Sequence, residues 1–467
     1  MKPIFKILTA AVLATTLTAC DDDDIADLIT GDVRVLHASP DAPPVNILFD
    51  GDSKIDALDY AESSGFEQIV VGSYRLEVEA IIPGGNATVL TLDPLEIESE
   101  SRITALAIGK VEGSSLELFP VADSASDPAS DEVAVNVVHA SPAAGALGNV
   151  DVYVTAPGAA LENPITLGFK DTADAGAIPA AKYQVRITPS NDAATILFDS
   201  GEIDLAPFSG QKLLIAAIDE ADQLNPEAPV KLLVASDDTS LNILDTDSKA
   251  GARAVHLSPD ASTVDVFANN DSNALIPGFS YLDTVPAAND YVALDADDYV
   301  FDVAPANTGI GGSVYTSDAV TLEAGMDYSL YAVGYVFTSP AFMLVPDMDD
   351  NRSIATQASL KAVHGAAAVG TVDVYVTPAG DFSVADVAFG QAGTPLVPDF
   401  EFGKITDYVP VPAGSYDVRI VDQASSTVVI NVEGATLSNG DVVTAIAYGP
   451  DESDGVPAAP GLLLLTN

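Results

Sequence analysis

The four histidines of this 467-residue chain each lie in a similar segment, and this repetition constrains the fold most strongly. They are His37, His139, His256 and His364, which are 102, 117 and 108 residues apart. Intervals of this length match whole domains, whereas solenoid repeats recur every 20–50 residues or so. The chain is therefore predicted to contain four tandem copies of one domain.

Each copy opens with the same pair of strand patterns. The first reads VRVLHASPDAPPVNIL from Val33, and the third reads ARAVHLSPDASTVDVF from Ala252. The second and fourth keep an apolar run that ends at the histidine, followed by a turn and a VDVYV strand. Apolar runs and alternating patterns of this length, bounded by turn residues, predict β-strands.

Further strand landmarks recur later in each copy, including a continuous apolar run such as ITALAIG at residues 103–109. No segment shows a convincing helical period. The pattern predicts an all-β chain with four tandem immunoglobulin-like antiparallel β-sandwich domains of about seven strands each. The predicted domains span residues 32–126, 132–245, 250–347 and 357–467. Acidic linkers at 123–132, 237–249 and 347–357 are expected to limit interdomain motion without abolishing it.

The N-terminus has the layout of a secretory signal. Lys2 and Lys6 precede an apolar stretch at 7–17 that is too short to span a membrane. The sequence LTAC at 17–20 resembles the lipobox of bacterial lipoproteins, which implies cleavage before Cys20 and acylation of its sulfur. Residues 1–19 are thus predicted to be a lipoprotein signal peptide, and residues 20–31 an acylated cysteine with an acidic spacer. The lipid would hold the exported protein in the bacterial cell envelope, at the periplasmic or surface face of the outer membrane, with the inner membrane as the alternative.

The charge balance restricts the partners. The chain has 18 Lys and Arg against 69 Asp and Glu, a formal net charge of −51. This field repels phosphate backbones and anionic headgroups, so nucleic acid is excluded and membrane attachment requires the lipid on Cys20.

No catalytic constellation is recognised, and the chain is predicted not to be an enzyme. Hydrolysis by a triad needs a base beside a nucleophile, and no GxSxG elbow is present. His37 and Ser39 are two residues apart, but Ala366 replaces this serine in the fourth copy. The histidines are therefore interpreted as structural residues that bond the turn backbone at the end of a strand.

Two metal hypotheses remain open. His37 with Asp41, or His256 with Asp260, would offer an imidazole and a carboxylate, but two ligands do not complete a site. The second and fourth copies lack the aspartate, so no metal is assigned. Calcium is the alternative ligand of the acidic linkers, although the run at 347–351 lacks the glycine and distal glutamate of an EF-hand. No other cofactor is predicted.

The VDV strands also carry an aspartate in three copies: Asp151, Asp265 and Asp373. Because side chains alternate along a strand, these aspartates are predicted to face solvent. The absence of tryptophan weakens a carbohydrate-binding interpretation, since exposed tryptophan commonly stacks on sugars.

The opening segments resemble DUF4397, a bacterial family typified by the pattern VRxxHxSPDAxxVDVY. The match is closest in the first and third copies, whereas Ala143 replaces the aspartate in the second and the fourth lacks Ser-Pro. The resemblance implies a secreted or surface-anchored β-sandwich protein without an established activity. We therefore expect a non-enzymatic cell-envelope lipoprotein that serves as an interaction, adhesion or structural module, with an envelope or extracellular protein or a polysaccharide as partner. The alternative is an envelope receptor for a metal such as calcium, a small ligand or a carbohydrate.

Overall fold

The computed structural model describes residues 29–123, 126–221, 229–287, 290–384, 386, 393–449 and 459–466. The predicted signal peptide, Cys20 and the aspartates at 21–24 lie outside the described residues. Within the described ranges, no helix is long and apolar enough to cross a membrane.

The strands form four successive units. The first contains β1 (Thr30–His37), β2 (Val45–Phe49), β3 (Asp52–Leu58), β4 (Glu62–Ser63), β5 (Glu67–Val70), β6 (Gly72–Ala80), β7 (Ala87–Ile97), β8 (Arg102–Ile108) and β9 (Glu117–Ala122). The second contains β10 (Glu132–His139), a short helix α1 (Pro142–Gly145), β11 (Val150–Thr155), β12 (Ile165–Leu167), β13 (Thr172–Pro179), β14 (Lys182–Pro189), β15 (Phe198–Asp199), β16 (Ile203–Asp204), a 3₁₀ turn (Ala206–Phe208), β17 (Lys212–Asp219), β18 (Val230–Ala235) and β19 (Ser240–Ile243).

The third unit contains β20 (Ala250–Leu257), β21 (Val264–Ala268), β22 (Ile276–Phe279), β23 (Thr284–Val285), β24 (Val292–Leu294), β25 (Asp297–Tyr299), β26 (Phe301–Pro305), a 3₁₀ turn (Ile310–Gly312), β27 (Tyr315–Thr316), β28 (Val320–Leu322), β29 (Asp327–Val333) and β30 (Met343–Asp349). The fourth contains β31 (Ala358–His364), β32 (Val372–Pro378), β33 (Val397–Phe400), β34 (Val409–Val411), β35 (Gly414–Asp422), β36 (Thr427–Leu437), β37 (Val442–Tyr448) and β38 (Gly461–Thr466).

Two sheets recur in every unit. The sheet that contains the repeat histidine, here called the His sheet, has the order β4-β1-β8-β9 in the first unit and β34-β31-β37-β38 in the fourth. The second sheet has the order β3-β2-β6-β7 and β33-β32-β35-β36 in the same units. The other two units repeat this plan with additional short strands, so the predicted all-β sandwich fold is confirmed.

In each unit one pair of adjacent strands in the His sheet is parallel: β1 with β8, β10 with β17, β20 with β29 and β31 with β37.

The alternation of side chains along β1 explains the repeated layout of the opening segment. Val33 and Val35 lie in the core between the two sheets of the first unit. Leu36 lies on the opposite face of the His sheet, in a cluster that includes Val138 and Leu214 of the second unit. A strand buried on both faces has a continuous apolar sequence, which is what these runs show.

The His sheets of neighbouring units therefore face each other. One shared core joins the first and second units through residues that include Leu106 and Ile218, and another joins the third and fourth through residues that include Tyr331 and Ile446. All four of these side chains are at most 1% exposed. The two units of each pair are therefore joined by a shared apolar core. The sequence had predicted only acidic linkers between the units.

Two of the predicted linkers contain ordered strand. The segment at 237–249 includes β19, which pairs with β18, and the segment at 347–357 begins inside β30. Arg352 then reaches the first unit, where its Nη1 donates to the carbonyl oxygen of Ala42 at 2.6 Å and its Nη2 pairs with Asp59. The connection between the third and fourth units is therefore held against the first unit.

Candidate functional site

The four repeat histidines occupy equivalent buried positions. Each is 1% exposed and lies on the side of the His sheet that faces the core of its own unit. In the parallel pair, each histidine lies opposite an alanine: Ala107, Ala217, Ala332 or Ala447. The small neighbour leaves room for an imidazole at the end of the strand.

Backbone groups hold the imidazole of His37. Its Nδ1 accepts from the backbone N–H of Ser39 at 3.4 Å, and its Nε2 lies 3.1 Å from the carbonyl oxygen of Pro43. Because Nδ1 is an acceptor, we assign the proton to Nε2, which donates to that carbonyl. Burial lowers the pKa of His37 to about 4, so the ring is neutral at pH 7. In the fourth unit, Nε2 of His364 similarly lies 2.9 Å from the carbonyl oxygen of Gly370.

The other two histidines have fewer partners. Neither ring nitrogen of His139 has a hydrogen bond within the described residues. Nδ1 of His256 accepts from the N–H of Ser258 at 3.3 Å, which again assigns the proton to Nε2. Across the described part of the chain, Nε2 of His256 has no counterpart to the Pro43 carbonyl. Burial also lowers the pKa of His256 to about 4.

The motif aspartates brace a loop instead of approaching the histidines. The carboxylate of Asp41 accepts from the N–H groups of Val111 at 2.8 Å and Glu112 at 2.9 Å, in the loop between β8 and β9. Asp260 accepts in the same way from Val336 at 2.8 Å and Phe337 at 3.1 Å, between β29 and β30. Each aspartate thus ties the first turn of its unit to the loop before the last strand.

The second unit lacks this aspartate and uses another one. Asp219, at the end of β17, accepts from the hydroxyl of Ser141 at 2.5 Å and from the N–H of Ala143 at 2.9 Å. In the first and third units the carboxylate lies in the first turn and binds the later loop. In the second unit the carboxylate lies just before that loop and binds the first turn. In the first unit, the hydroxyl of Ser39 donates to the carboxylate of Asp41 at 3.4 Å. The serine hydroxyl is therefore bonded to this aspartate and not to the imidazole of His37.

The residues proposed as metal ligands are not gathered into a metal site. No group of three or more His, Cys, Asp or Glu side chains with suitable geometry occurs among the described residues. Both ring nitrogens of His37 and the carboxylate of Asp41 face backbone groups.

The aspartates of the VDV strands were expected to face solvent, and for Asp151 this is wrong because its side chain is only 8% exposed. It accepts from the hydroxyl of Thr166 at 2.6 Å. Asp265 accepts from the N–H groups of Gly278 and Asn307, both at 2.9 Å, and these bonds lower its pKa. These carboxylates also stabilise loops.

The acidic run at 347–351, considered as a calcium site, lies partly in a buried ion cluster between the third and fourth units. Asp349 pairs with Arg253 at 3.3 Å and with Lys361 at 3.0 Å, and it accepts from the Ser329 hydroxyl at 2.5 Å. Lys361 also pairs with Asp347 at 2.5 Å. The side chains of Arg253 and Asp349 are 0% exposed. Two cations and two carboxylates balance each other in this cluster.

Two tyrosines enclose the cluster. Tyr291 donates to Asp349 at 2.7 Å and its ring lies 4.6 Å from the Arg253 guanidinium, while the Tyr408 ring lies 4.4 Å from Lys361 Nζ. Burial, followed by the charge of Asp349, raises the pKa of both hydroxyls. Both tyrosines therefore remain neutral at physiological pH.

The equivalent position in the first unit also carries a buried cation. Arg34 donates to the hydroxyl of Thr104 at 2.8 Å and to the carbonyl oxygen of Ser236 in the second unit at 2.6 Å, and it lies 4.5 Å from the Phe66 ring. Sequence reasoning missed this role. The available signal was a polar residue three positions before each histidine, inside an otherwise apolar strand, because such a residue needs a buried partner.

The third unit contains a cavity of about 310 Å³ between its two sheets, here called the third-unit cavity. Its wall is mainly aliphatic and aromatic, and His256 contributes to it. Ala252 and Ala254 line it from β20. Four lining residues are exposed to solvent by more than a third and form an apolar mouth: Leu275, Val292, Val314 and Val336. Sequence reasoning did not identify this cavity.

Comparisons with known proteins bear on the family. The family model described as a domain of unknown function, DUF4397, matches residues 31–153, 250–375 and 378–467. A Bacteroides ovatus protein with a suggested role in cell adhesion is 12% identical, with a TM-score of 0.18 over 47% of this chain and 96% of that one. The Bacillus anthracis TIE protein is 11% identical, with a TM-score of 0.14 over 86% of this chain and 65% of that one.

Structural scores this low support no inference, and no curated protein matches the chain. The family match, by contrast, covers well over half of the chain and includes the opening segments of all four units. The chain therefore belongs to the DUF4397 family.

Proposed function

We propose that this protein is a non-enzymatic lipoprotein of the bacterial cell envelope whose paired sandwiches form a scaffold for interaction with an envelope or extracellular partner. The observation that carries the proposal is the use of the recurrent polar residues inside the fold. His37 and Asp41 bind backbone groups, and Arg34 joins two units. In the first unit, the polar atoms of the motif are thus engaged in holding the fold together, which supports an architectural role.

The low pKa of two repeat histidines gives further support. A general base needs a pKa near the working pH and access to substrate, whereas His37 and His256 are 1% exposed with pKa values of about 4. Neutral, buried rings of this kind are suited to holding a turn.

The N-terminal sequence supports the envelope location. The LTAC sequence ends at Cys20, the single cysteine of the chain, and follows a short apolar stretch. A diacylglyceryl group with a further acyl chain would give stable anchorage that one chain alone does not provide. The acidic surface makes this lipid necessary for binding to an anionic membrane.

The anchor is tested by expressing the wild-type chain and Cys20→Ser in a strain that lacks the gene. Mass spectrometry of the wild-type N-terminus is expected to show an acylated Cys20, and Cys20→Ser is expected to leave the membrane fraction. Thr18→Ser keeps the lipobox and serves as the matched control. A wild-type chain without acylation would refute the anchor.

The interaction role is tested in the same strains by attachment of cells to protein-coated and polysaccharide-coated surfaces. The wild-type gene is expected to restore attachment that the deletion reduces, whereas Cys20→Ser, released from the membrane, is expected to fail. Equal attachment with and without the gene would contradict an adhesive role.

A further inference from the structure

We propose that the third-unit cavity binds one small, neutral and largely apolar molecule that carries a hydrogen-bond acceptor. This inference goes beyond the proposed scaffold role and does not depend on it. It combines the size of the cavity, its open apolar mouth and the unsatisfied donor of His256.

The volume distinguishes the third unit from the second and fourth, whereas the first unit has a cavity of about 290 Å³ whose lining does not include Val33 or Val35. The cavities between the sheets measure about 20 Å³ in the second unit and about 140 Å³ in the fourth, against about 310 Å³ in the third. Even a 150 Å³ apolar cavity is known to admit benzene, and small-molecule pockets begin at about 300 Å³. The third-unit cavity therefore has room for a compact organic molecule.

Two alanines account for part of this space. The residues four and two positions before the histidine are Val33 and Val35 in the first unit, but Ala252 and Ala254 in the third. Both alanines line the cavity. The smaller side chains leave unfilled volume in a protein core, which costs stability while the cavity is empty and which a bound ligand would offset.

His256 supplies the polar feature. Its Nδ1 accepts from Ser258, so its Nε2 carries the proton, and within the described residues no acceptor faces this N–H. In the first unit the equivalent donor has a partner, because Nε2 of His37 donates to the carbonyl oxygen of Pro43. The Nε2–H of His256 therefore faces the cavity, and a hydrogen bond to a ligand acceptor there would contribute about 0.5–1.5 kcal/mol to binding.

The charge of the site selects a neutral ligand. His256 is uncharged at pH 7, so it offers a carboxylate no counter-ion, and burial of an unpaired carboxylate is costly. The net charge of −51 also repels anions. A carbonyl, ester or ether oxygen on an apolar body fits the cavity best, and the aromatic side chains of Phe279, Phe301 and Phe342 suit a flat ring.

The mouth permits entry and is held by the family motif. Val314 is 60% exposed and Val336 is 37% exposed, so the lining is continuous with the surface. Asp260 accepts from the N–H of Val336 and thereby fixes the loop at the rim. In this unit the motif aspartate thus also shapes a binding site.

The test uses two probes of similar shape, acetophenone and isopropylbenzene, of which the first alone has a carbonyl acceptor. Calorimetric titration of the chain beginning at Asp21, which retains every described residue, is expected to show one acetophenone site per chain. The variant Ala252→Val/Ala254→Val introduces the side chains that the first unit has at these positions. It is expected to weaken the binding of both probes at least tenfold. Ala362→Val, at the equivalent position of the fourth unit, is the matched control and should change neither affinity.

The donor is tested with His256→Phe. Loss of one hydrogen bond is expected to weaken acetophenone about threefold to tenfold while isopropylbenzene retains its affinity. Thermal unfolding of each variant checks that the third unit is folded. Undiminished binding of acetophenone to Ala252→Val/Ala254→Val, equal losses for both probes in His256→Phe, or no binding to the wild-type chain would each overturn the proposal. The first-unit cavity, of about 290 Å³, has its histidine donor satisfied and is expected to disfavour acetophenone.

Discussion

Replacement of Asp349 by alanine is expected to destabilise the third and fourth units together. Its fully buried carboxylate pairs with Arg253 of its own unit and with Lys361 of the next. Removal of the carboxylate leaves the cluster with an excess positive charge in a site closed to water. Breaking a buried ion pair by removing one member costs about 3–5 kcal/mol, because the remaining charge has lost its counter-ion.

This cost can be measured as a thermal shift. For cooperative units of about 150–250 residues, 1 kcal/mol corresponds to about 2–4 °C, so the unfolding transition of these units is expected to fall by about 6–20 °C. Differential scanning calorimetry can follow it, because the chain need not unfold in one step. The exposed pair of Lys182 with Glu202 provides the control: Lys182→Ala should leave the unfolding transitions almost unchanged, because solvent screens an exposed ion pair.

A double variant separates the lost ion pair from simple loss of packing. Arg253→Met/Asp349→Leu removes both charges and leaves Lys361 with Asp347, so it is expected to be more stable than Asp349→Ala. An Asp349→Ala transition within about 2 °C of the wild type would refute the assignment of a buried charge cluster between these units.

Three further outcomes are expected. His37 has a folded pKa of about 4 against about 6.5 when unfolded, so the unfolded chain binds the proton first and stability falls as the pH drops from about 6.5 towards 4. His37→Phe should reduce this loss by up to about 1.4 kcal/mol per pH unit, and equal slopes between pH 6.5 and 5 would contradict it. Leu106→Ala, in the core shared by the first two units, should cost about 2–5 kcal/mol and lower the calorimetric transitions of both; a shift confined to the first unit would show that the interface is not formed. Asp41→Ala should cost about 0.5–1.5 kcal/mol in urea unfolding, because the N–H groups of Val111 and Glu112 lose their carboxylate acceptor but remain accessible to water; an unchanged midpoint would exclude this bracing role.

The fold class was accessible from the sequence because its signal is local. The run VRVLH and the VDV strand that follows have strand periodicity, and they recur at domain spacing. The parallel pairing of β1 with β8 was not accessible, because it depends on which edge of the sheet the later strand joins. The continuous apolar character of both strands indicated burial on two faces, but not that the second face would meet another unit.

The site residues show a similar division. The sequence located the histidines and led to the interpretation that they bond the turn backbone, but the individual partners differ between units, as His37 and His256 show. In the first and fourth units the acceptor is a carbonyl oxygen six residues beyond the histidine, at Pro43 and Gly370, and strand periodicity carries no information about such turn contacts. The third-unit cavity depends on the summed volumes of side chains from two sheets, so Ala252 and Ala254 carried no recognisable signal alone.

The paired arrangement follows from the composition of the His sheet. An isolated first unit would present Leu36, Leu106 and Ile108 to water, although each is 0% exposed in the pair. A contiguous apolar face of this kind favours association or aggregation in a monomeric domain. The second unit covers that face, and Arg34 donates to a carbonyl oxygen across the boundary. Because the fourth unit covers the third in the same way, the smallest part of this chain that buries its apolar surfaces is a pair of sandwiches.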